Sequence, residues 1–131
     1  MYNLTDLSTI KKLMCEADAS FSHSLGQNFL IDPFVCPEMA KECGADKESG
    51  VLEIGPGIGV LTSELAKAAK KVVALEIDTS LLPVLDKTLS DFDNVKIIQA
   101  DVMKTDLKRL LLDEFGDMPV YVCANLPYYI T

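Results

Sequence analysis

Histidine occurs once in these 131 residues, at His23, and the four cysteines, Cys15, Cys36, Cys43 and Cys123, include no CxxC pair. A structural zinc site, which needs four closely spaced thiolate or imidazole ligands, is excluded by that scarcity. Cys36 and Cys43 belong to a segment read as helical, which separates their Cα atoms by about 10 Å and puts them beyond disulfide reach. Reduced thiols in a cytoplasmic protein are therefore expected. Long apolar runs are missing as well. No stretch approaches the roughly 18 residues of a membrane span, and Met1 to Glu16 is broken by Asp6, Lys11 and Lys12, which leaves no signal-peptide core. Internal repeats, low-complexity tracts and linkers are absent. Positive charge is scarce: 12 Lys and Arg stand against 20 Asp and Glu, for a formal charge of -8. Taken alone, that balance argues against a nucleic-acid partner, which normally demands a basic face.

What is present is a chain of one-domain length that is 49% apolar, enough to build a core and to exclude general disorder. Leu4, Leu7, Ile10, Leu13 and Met14 recur at helical spacing, and Ala19 to Leu30 shows no period and reads as a loop. Asp32 followed by Pro33 predicts a helix start, with the stop near Cys43 because Gly44 lies just beyond. From there short apolar runs alternate with amphipathic segments. Val51 to Ile54, Val72 to Ile77, Val95 to Gln99 and Val120 to Ala124 read as strands, and the stretches near 59–69, 80–90 and 104–115 as helices. This alternation predicts an α/β fold with a parallel sheet covered on both faces. No helix follows the fourth strand, so that strand is expected at a bare edge in an incomplete sheet, where chains could self-associate.

Three motifs fall at strand ends. Glu53-Ile54-Gly55-Pro56-Gly57-Ile58-Gly59 occupies the first strand-to-helix turn, where glycines allow unusual backbone angles and close approach to a ligand. Its GxGxG spacing departs from the GxGxxG of dinucleotide folds and, with the acid two places ahead, follows the S-adenosylmethionine pattern of class I methyltransferases; alone it could be a tight turn only. Glu76 closes the second strand, placed to accept hydrogen bonds from two ribose hydroxyls, against the plainer reading of a solvated strand-end carboxylate. Asp101 closes the third, as acceptor for an adenine amine or as a helix cap, and Asp78 reads as the cap of the second helix. Asn125-Leu126-Pro127-Tyr128 ends the fourth strand at the same crevice. The Asn125 side-chain oxygen and the Leu126 carbonyl are suited to accept the two N–H bonds of a planar amine, Tyr128 to stack on the base and Pro127 to set the turn. Two such acceptors favour the pyramidal, more nucleophilic nitrogen, so displacement of a sulfonium methyl requires positioning rather than a strong base.

Ser24-Leu25-Gly26-Gln27-Asn28-Phe29-Leu30-Ile31-Asp32, Leu52 through Thr62, Ala74-Leu75-Glu76-Ile77-Asp78, Gln99-Ala100-Asp101 and Asn125-Leu126-Pro127-Tyr128 stand in one order and spacing. Together they resemble the ribosomal RNA adenine N6,N6-dimethyltransferases, from about residue 20 to the end of the chain. The resemblance implies a Rossmann-like class I methyltransferase fold, cut after the fourth parallel strand: residues 1–31 form an N-terminal helix and a cofactor-covering loop, and 32–131 the first part of the methyltransferase domain, without its remaining strands and C-terminal helical domain. It implies transfer of methyl groups from S-adenosylmethionine, with no metal, to two adjacent adenosines near the 3′ end of small-subunit (16S) rRNA in the immature 30S subunit. Cofactor contacts would come from Gln27, Asn28, Leu30, Gly55, Gly57, Glu76, Ile77, Asp101, Val102 and Asn125, and catalysis from Asn125, Leu126, Pro127 and Tyr128. His23 departs from the family, which commonly carries a lysine or arginine before this loop.

Three other readings compete. The erythromycin-resistance branch, acting on large-subunit rRNA, usually reads Asn-Ile-Pro-Tyr in the catalytic segment, so Leu126 favours the small-subunit enzyme. A non-catalytic cofactor-binding or ribosome-assembly module fits a chain that ends at Thr131, and a nicotinamide oxidoreductase is disfavoured by the GxGxG spacing. On the favoured reading the charge of -8 places the phosphate-binding surface in the part not present here.

Overall fold

A computed structural model of the chain describes residues 35–124. The expected N-terminal helix, the Asp32-Pro33 helix start and the loop carrying Gln27, Asn28 and Leu30 lie outside these residues. So do Asn125, Leu126, Pro127 and Tyr128.

Helix α1 (Val35–Cys43) is followed by strand β1 (Gly50–Ile54), helix α2 (Val60–Ala68) and strand β2 (Lys71–Glu76). A short 3-10 turn at Thr79–Leu81 leads into α3 (Leu82–Thr88), then β3 (Val95–Gln99). A second 3-10 turn at Val102–Lys104 precedes α4 (Leu107–Phe115) and β4 (Val120–Ala124). The helix α1 ends where the sequence predicts: Gly44 takes φ 82, a left-handed angle, and its N–H donates to the Lys41 carbonyl at 3.3 Å.

Five boundaries differ from expectation. Gly50 joins β1, and β2 begins at Lys71 and closes at Glu76, leaving Ile77 outside the strand. The reason is local: the Glu76 carboxylate turns back to accept the Asp78 N–H at 3.0 Å, which draws the chain out of the sheet. The helices expected near 80–90 and 104–115 each start as a 3-10 turn. Asp78 caps the first turn by accepting from Ser80 N at 3.0 Å, and Pro83 enters the first turn of α3. Asp106 caps α4 itself, accepting from Arg109 N at 3.2 Å.

All strands are parallel, in the order β3-β2-β1-β4. Alternation within each strand sends side chains to two faces. Val51 and Val72 pack on one side with Ile58, Leu61, Leu65 and Val84, so α1, α2 and α3 cover that face. Leu52, Val73 and Leu75 point to the other, where Phe115, Leu107 and Leu111 of α4 form the cover. Gly50 is required by this second face, since any Cβ there would collide with the Phe115 ring. Strand β4 lies at the sheet edge as expected, with Tyr121 42% and Val122 60% exposed.

Candidate functional site

The order reverses around β1, whose neighbours lead one way to β2 and β3 and the other way to β4. In open parallel sheets ligands bind beyond the carboxyl ends of the strands at such a switch point. The turn after β1 is there. Gly55, Gly57 and Gly59 take φ 73, 61 and 93, angles that side-chain-bearing residues rarely hold. Gly55 N donates to the Leu75 carbonyl at 3.0 Å and Gly59 N to the Pro56 carbonyl at 2.9 Å, so the turn is tied both to β2 and to itself.

Glu76 completes that tie. Its Oε1 accepts from Gly57 N at 3.1 Å while Oε2 accepts from Asp78 N, so one carboxylate clamps the tip of the glycine turn to the exit of β2. Burial raises the Glu76 pKa from its ordinary value, and the bonds from Asp78 and Gly57 N–H groups oppose that rise. Each oxygen keeps a second lone pair for a ligand hydroxyl.

Asp101 stands at the exit of β3. Its Oδ1 accepts from Met103 N at 2.9 Å, which is the capping geometry, and its carbonyl accepts from Thr105 Oγ1 at 2.7 Å. Ile77 and Met103, just past β2 and β3, are 59% and 87% exposed and so available to a ligand at these strand ends. Val102, between Asp101 and Met103, packs partly into the α4-side core.

Two supports lie inside the motifs quoted from the sequence but were given no role there. Gln99 Nε2 donates to the Ile77 carbonyl at 3.3 Å and holds the segment after β2 in place. Thr62 Oγ1, on α2, donates to Glu53 Oε1. Thr62 and Glu53 are 9 residues apart and Gln99 and Ile77 22 apart, on different elements in each case, so no spacing rule pairs them; the signal for both is their place inside the motifs. Glu53 itself is 0% exposed, and its Oε2 has no hydrogen-bond partner among the described residues. Burial pushes its carboxyl up to about 8, the Thr62 bond lowers it and the charge of Glu76 raises it. Beside it in register on β4 is Cys123, a free thiol pushed up to about 12 by burial and then by its contact with the Cys43 thiol.

Other concavities have a different character. One of about 370 Å³ is lined by Lys70, Lys71, Lys96, Asp93, Asn94 and Met118. It opens at the amino ends of β2 and β3, the wrong end of the sheet for the ligand rule, and its charges are mixed. Among the described residues no three His, Cys, Asp or Glu side chains gather as they would around a metal ion, and no helix is long and apolar enough to cross a membrane.

The geometry can be set beside known proteins. A "Ribosomal RNA small subunit methyltransferase A" of Bacillus licheniformis is 50% identical over 122 residues, covering 92% of this chain and 42% of the relative. One of the same name from Clostridioides difficile is 43% identical over 131 residues, covering 100% of this chain and 45% of the relative. The chain thus spans less than half the length of the curated relatives it matches. Among solved structures, a dimethyladenosine transferase from Plasmodium falciparum superposes with a TM-score of 0.60 at 28% identity, covering 76% of this chain and 34% of that one. The 23S rRNA methyltransferase ErmE does so with a TM-score of 0.55 at 25% identity, covering 74% of this chain and 48% of that one. These neighbours share the class I methyltransferase fold. The family profile described as "Ribosomal RNA adenine dimethylase" matches residues 19–131, and with the clamped glycine turn at the switch point of a 3-2-1-4 sheet, the chain belongs to that family.

Proposed function

We propose that this chain is the cofactor-binding part of an S-adenosylmethionine-dependent rRNA adenine N6,N6-dimethyltransferase of the cytoplasm, acting on two adjacent adenosines near the 3′ end of 16S rRNA in immature small subunits. The observation that carries the reading is the Gly57–Glu76 bond: it brings the glycine turn and the acid of β2 to one place, with Asp101 on the adjacent strand. Glu76 suits the ribose hydroxyls, Ile77, Val102 and Met103 the adenine ring, Asp101 its exocyclic amine, and Gly55 and Gly57 the methionine end; Gln27, Asn28 and Leu30 would cover it. The donor set fits the cofactor. When bound, the cofactor supplies an electrophilic methyl group on a sulfonium. The chain's own part is to hold the target amine in line: Asn125 and the Leu126 carbonyl accept its N–H bonds while Tyr128 stacks on the base. Because the relatives are more than twice as long, the chain alone is expected to bind cofactor but to bind rRNA poorly and turn over little, consistent with its charge of -8.

Calorimetry with S-adenosylmethionine on the chain, beside methyl transfer to undermethylated small subunits by the longer protein, tests both halves. Absence of cofactor binding would sink the reading. The likeness to ErmE raises the alternative of a large-subunit substrate; transfer to naked 23S rRNA in preference to immature small subunits would establish it. In the longer protein, Asn125→Ala is expected to abolish both transfers and leave cofactor affinity only modestly reduced, and near-normal turnover would refute the role given to Asn125.

A further inference from the structure

Glu53 lies on β1 two residues ahead of Gly55, sealed from solvent, with one carboxyl oxygen on the Thr62 hydroxyl and the other without a partner among the described residues. Each described element around it contributes a polar group, and none of these groups is a cation. The α2 neighbour is Thr62; β4 presents the Cys123 thiol, with Cys43 of α1 behind it; and β2 carries Glu76, whose negative charge acts against ionisation. A buried carboxylate without a counter-ion costs several kcal/mol, so such a group keeps its proton instead. The elevated value near 8 agrees with that packing argument. Glu53 is joined to that turn by the chain itself, since Ile54 alone separates it from Gly55, the first residue of the loop whose tip Glu76 clamps.

Resting on the cofactor reading above, we propose that Glu53 is a positioning residue beneath the glycine turn that carries a proton in the ligand-free protein and releases it to solvent when the cationic methionine end of S-adenosylmethionine settles on the turn. The unpartnered oxygen gives the new charge a counterpart, and the carboxylate thus formed keeps its Thr62 bond. An opposite charge within about 4–6 Å lowers a carboxyl pKa by roughly 1–3 units. Proton release on binding makes affinity rise with pH until the free protein has itself ionised.

The test is calorimetry of the 131-residue chain in two buffers of different ionisation enthalpy, near neutral pH. S-adenosylmethionine is compared with neutral 5′-methylthioadenosine. Binding of S-adenosylmethionine should release most of a proton and tighten about tenfold between roughly pH 6.5 and 8.5, whereas the neutral nucleoside should release none. Glu53→Gln should bind S-adenosylmethionine with no such pH dependence. Thr62→Val, which removes the bond that favours the ionised form, should shift the pH profile upward and keeps the test available if Glu53→Gln does not fold. Buffer-independent heats with S-adenosylmethionine, or equal proton release with both ligands, would overturn the inference and leave the cofactor reading standing. Binding of neither ligand would remove that reading and the inference with it.

Discussion

Two acids, Glu53 in the core and the half-buried Glu114, pull stability in opposite directions with pH. Glu53 has its folded pKa raised from an ordinary 4.5 to about 8, so folding takes up a proton in that interval. Its contribution is fully present below about pH 4.5 and is lost as pH rises to about 8. Glu114 has the reverse sign. Lys96 and Lys71 donate to it at 2.9 and 3.2 Å and lower its pKa, so its contribution is present at neutral pH and lost as pH falls through the acid range. Urea denaturation across pH 4 to 9, an interval about those values, should show Glu53→Gln flattening the alkaline decline and Glu114→Gln flattening the acid one. An unchanged alkaline limb in Glu53→Gln would contradict the assignment of that carboxyl. Glu76 differs from both, because its carboxylate joins two backbone N–H groups, one on the glycine turn and one just past β2. Glu76→Ala is expected to weaken S-adenosylmethionine binding by at least about tenfold, the scale of losing charge-assisted hydrogen bonds, as read by calorimetry.

At the scale of elements, the turn between β1 and α2 depends on Gly59. Its φ of 93 is strained for any other residue, and a Cβ there would lie 2.9 Å from Thr88 Oγ1 and 3.3 Å from Leu85 on α3. Gly59→Ala should therefore cost about 1–3 kcal/mol in denaturant unfolding; a loss below about 0.5 kcal/mol would mean that α3 gives way easily. Much of this layer could be read in advance. Runs such as Val72-Val73-Ala74-Leu75 mark buried parallel strands, and Gly44 and Asp78 terminate and cap as their types predict. The boundaries depend on side chains that reach across space. Ile77 is apolar enough for a strand, yet the bond from Asp78 N to Glu76 ends β2 before it. The candidate site divides in the same way. Glycines and strand-end acids announce themselves by spacing, whereas the Thr62–Glu53 and Gln99–Ile77 partnerships exist only once helix and sheet are packed.

For the whole molecule, the open edge governs behaviour in solution. Tyr121 and Val122 on β4 are exposed, and no further strand pairs with β4 among the described residues, so concentration-dependent self-association is expected in sedimentation experiments, and Val122→Lys should suppress it. A monomer at all concentrations would show that this edge is protected. The strand order has a kinetic consequence as well. The β1–β2 and β2–β3 ladders pair residues only about twenty apart in sequence, but β1 meets β4 across about seventy. Local ladders cost less loop entropy, so the three-strand unit around β2 should assemble first and β4 dock last. In hydrogen exchange the amides of β2, flanked on both sides, should outlast those of β4. The strand that leads directly into Asn125 would then be the one that opens most readily, with the segment proposed to be catalytic attached to the least protected rung of the sheet.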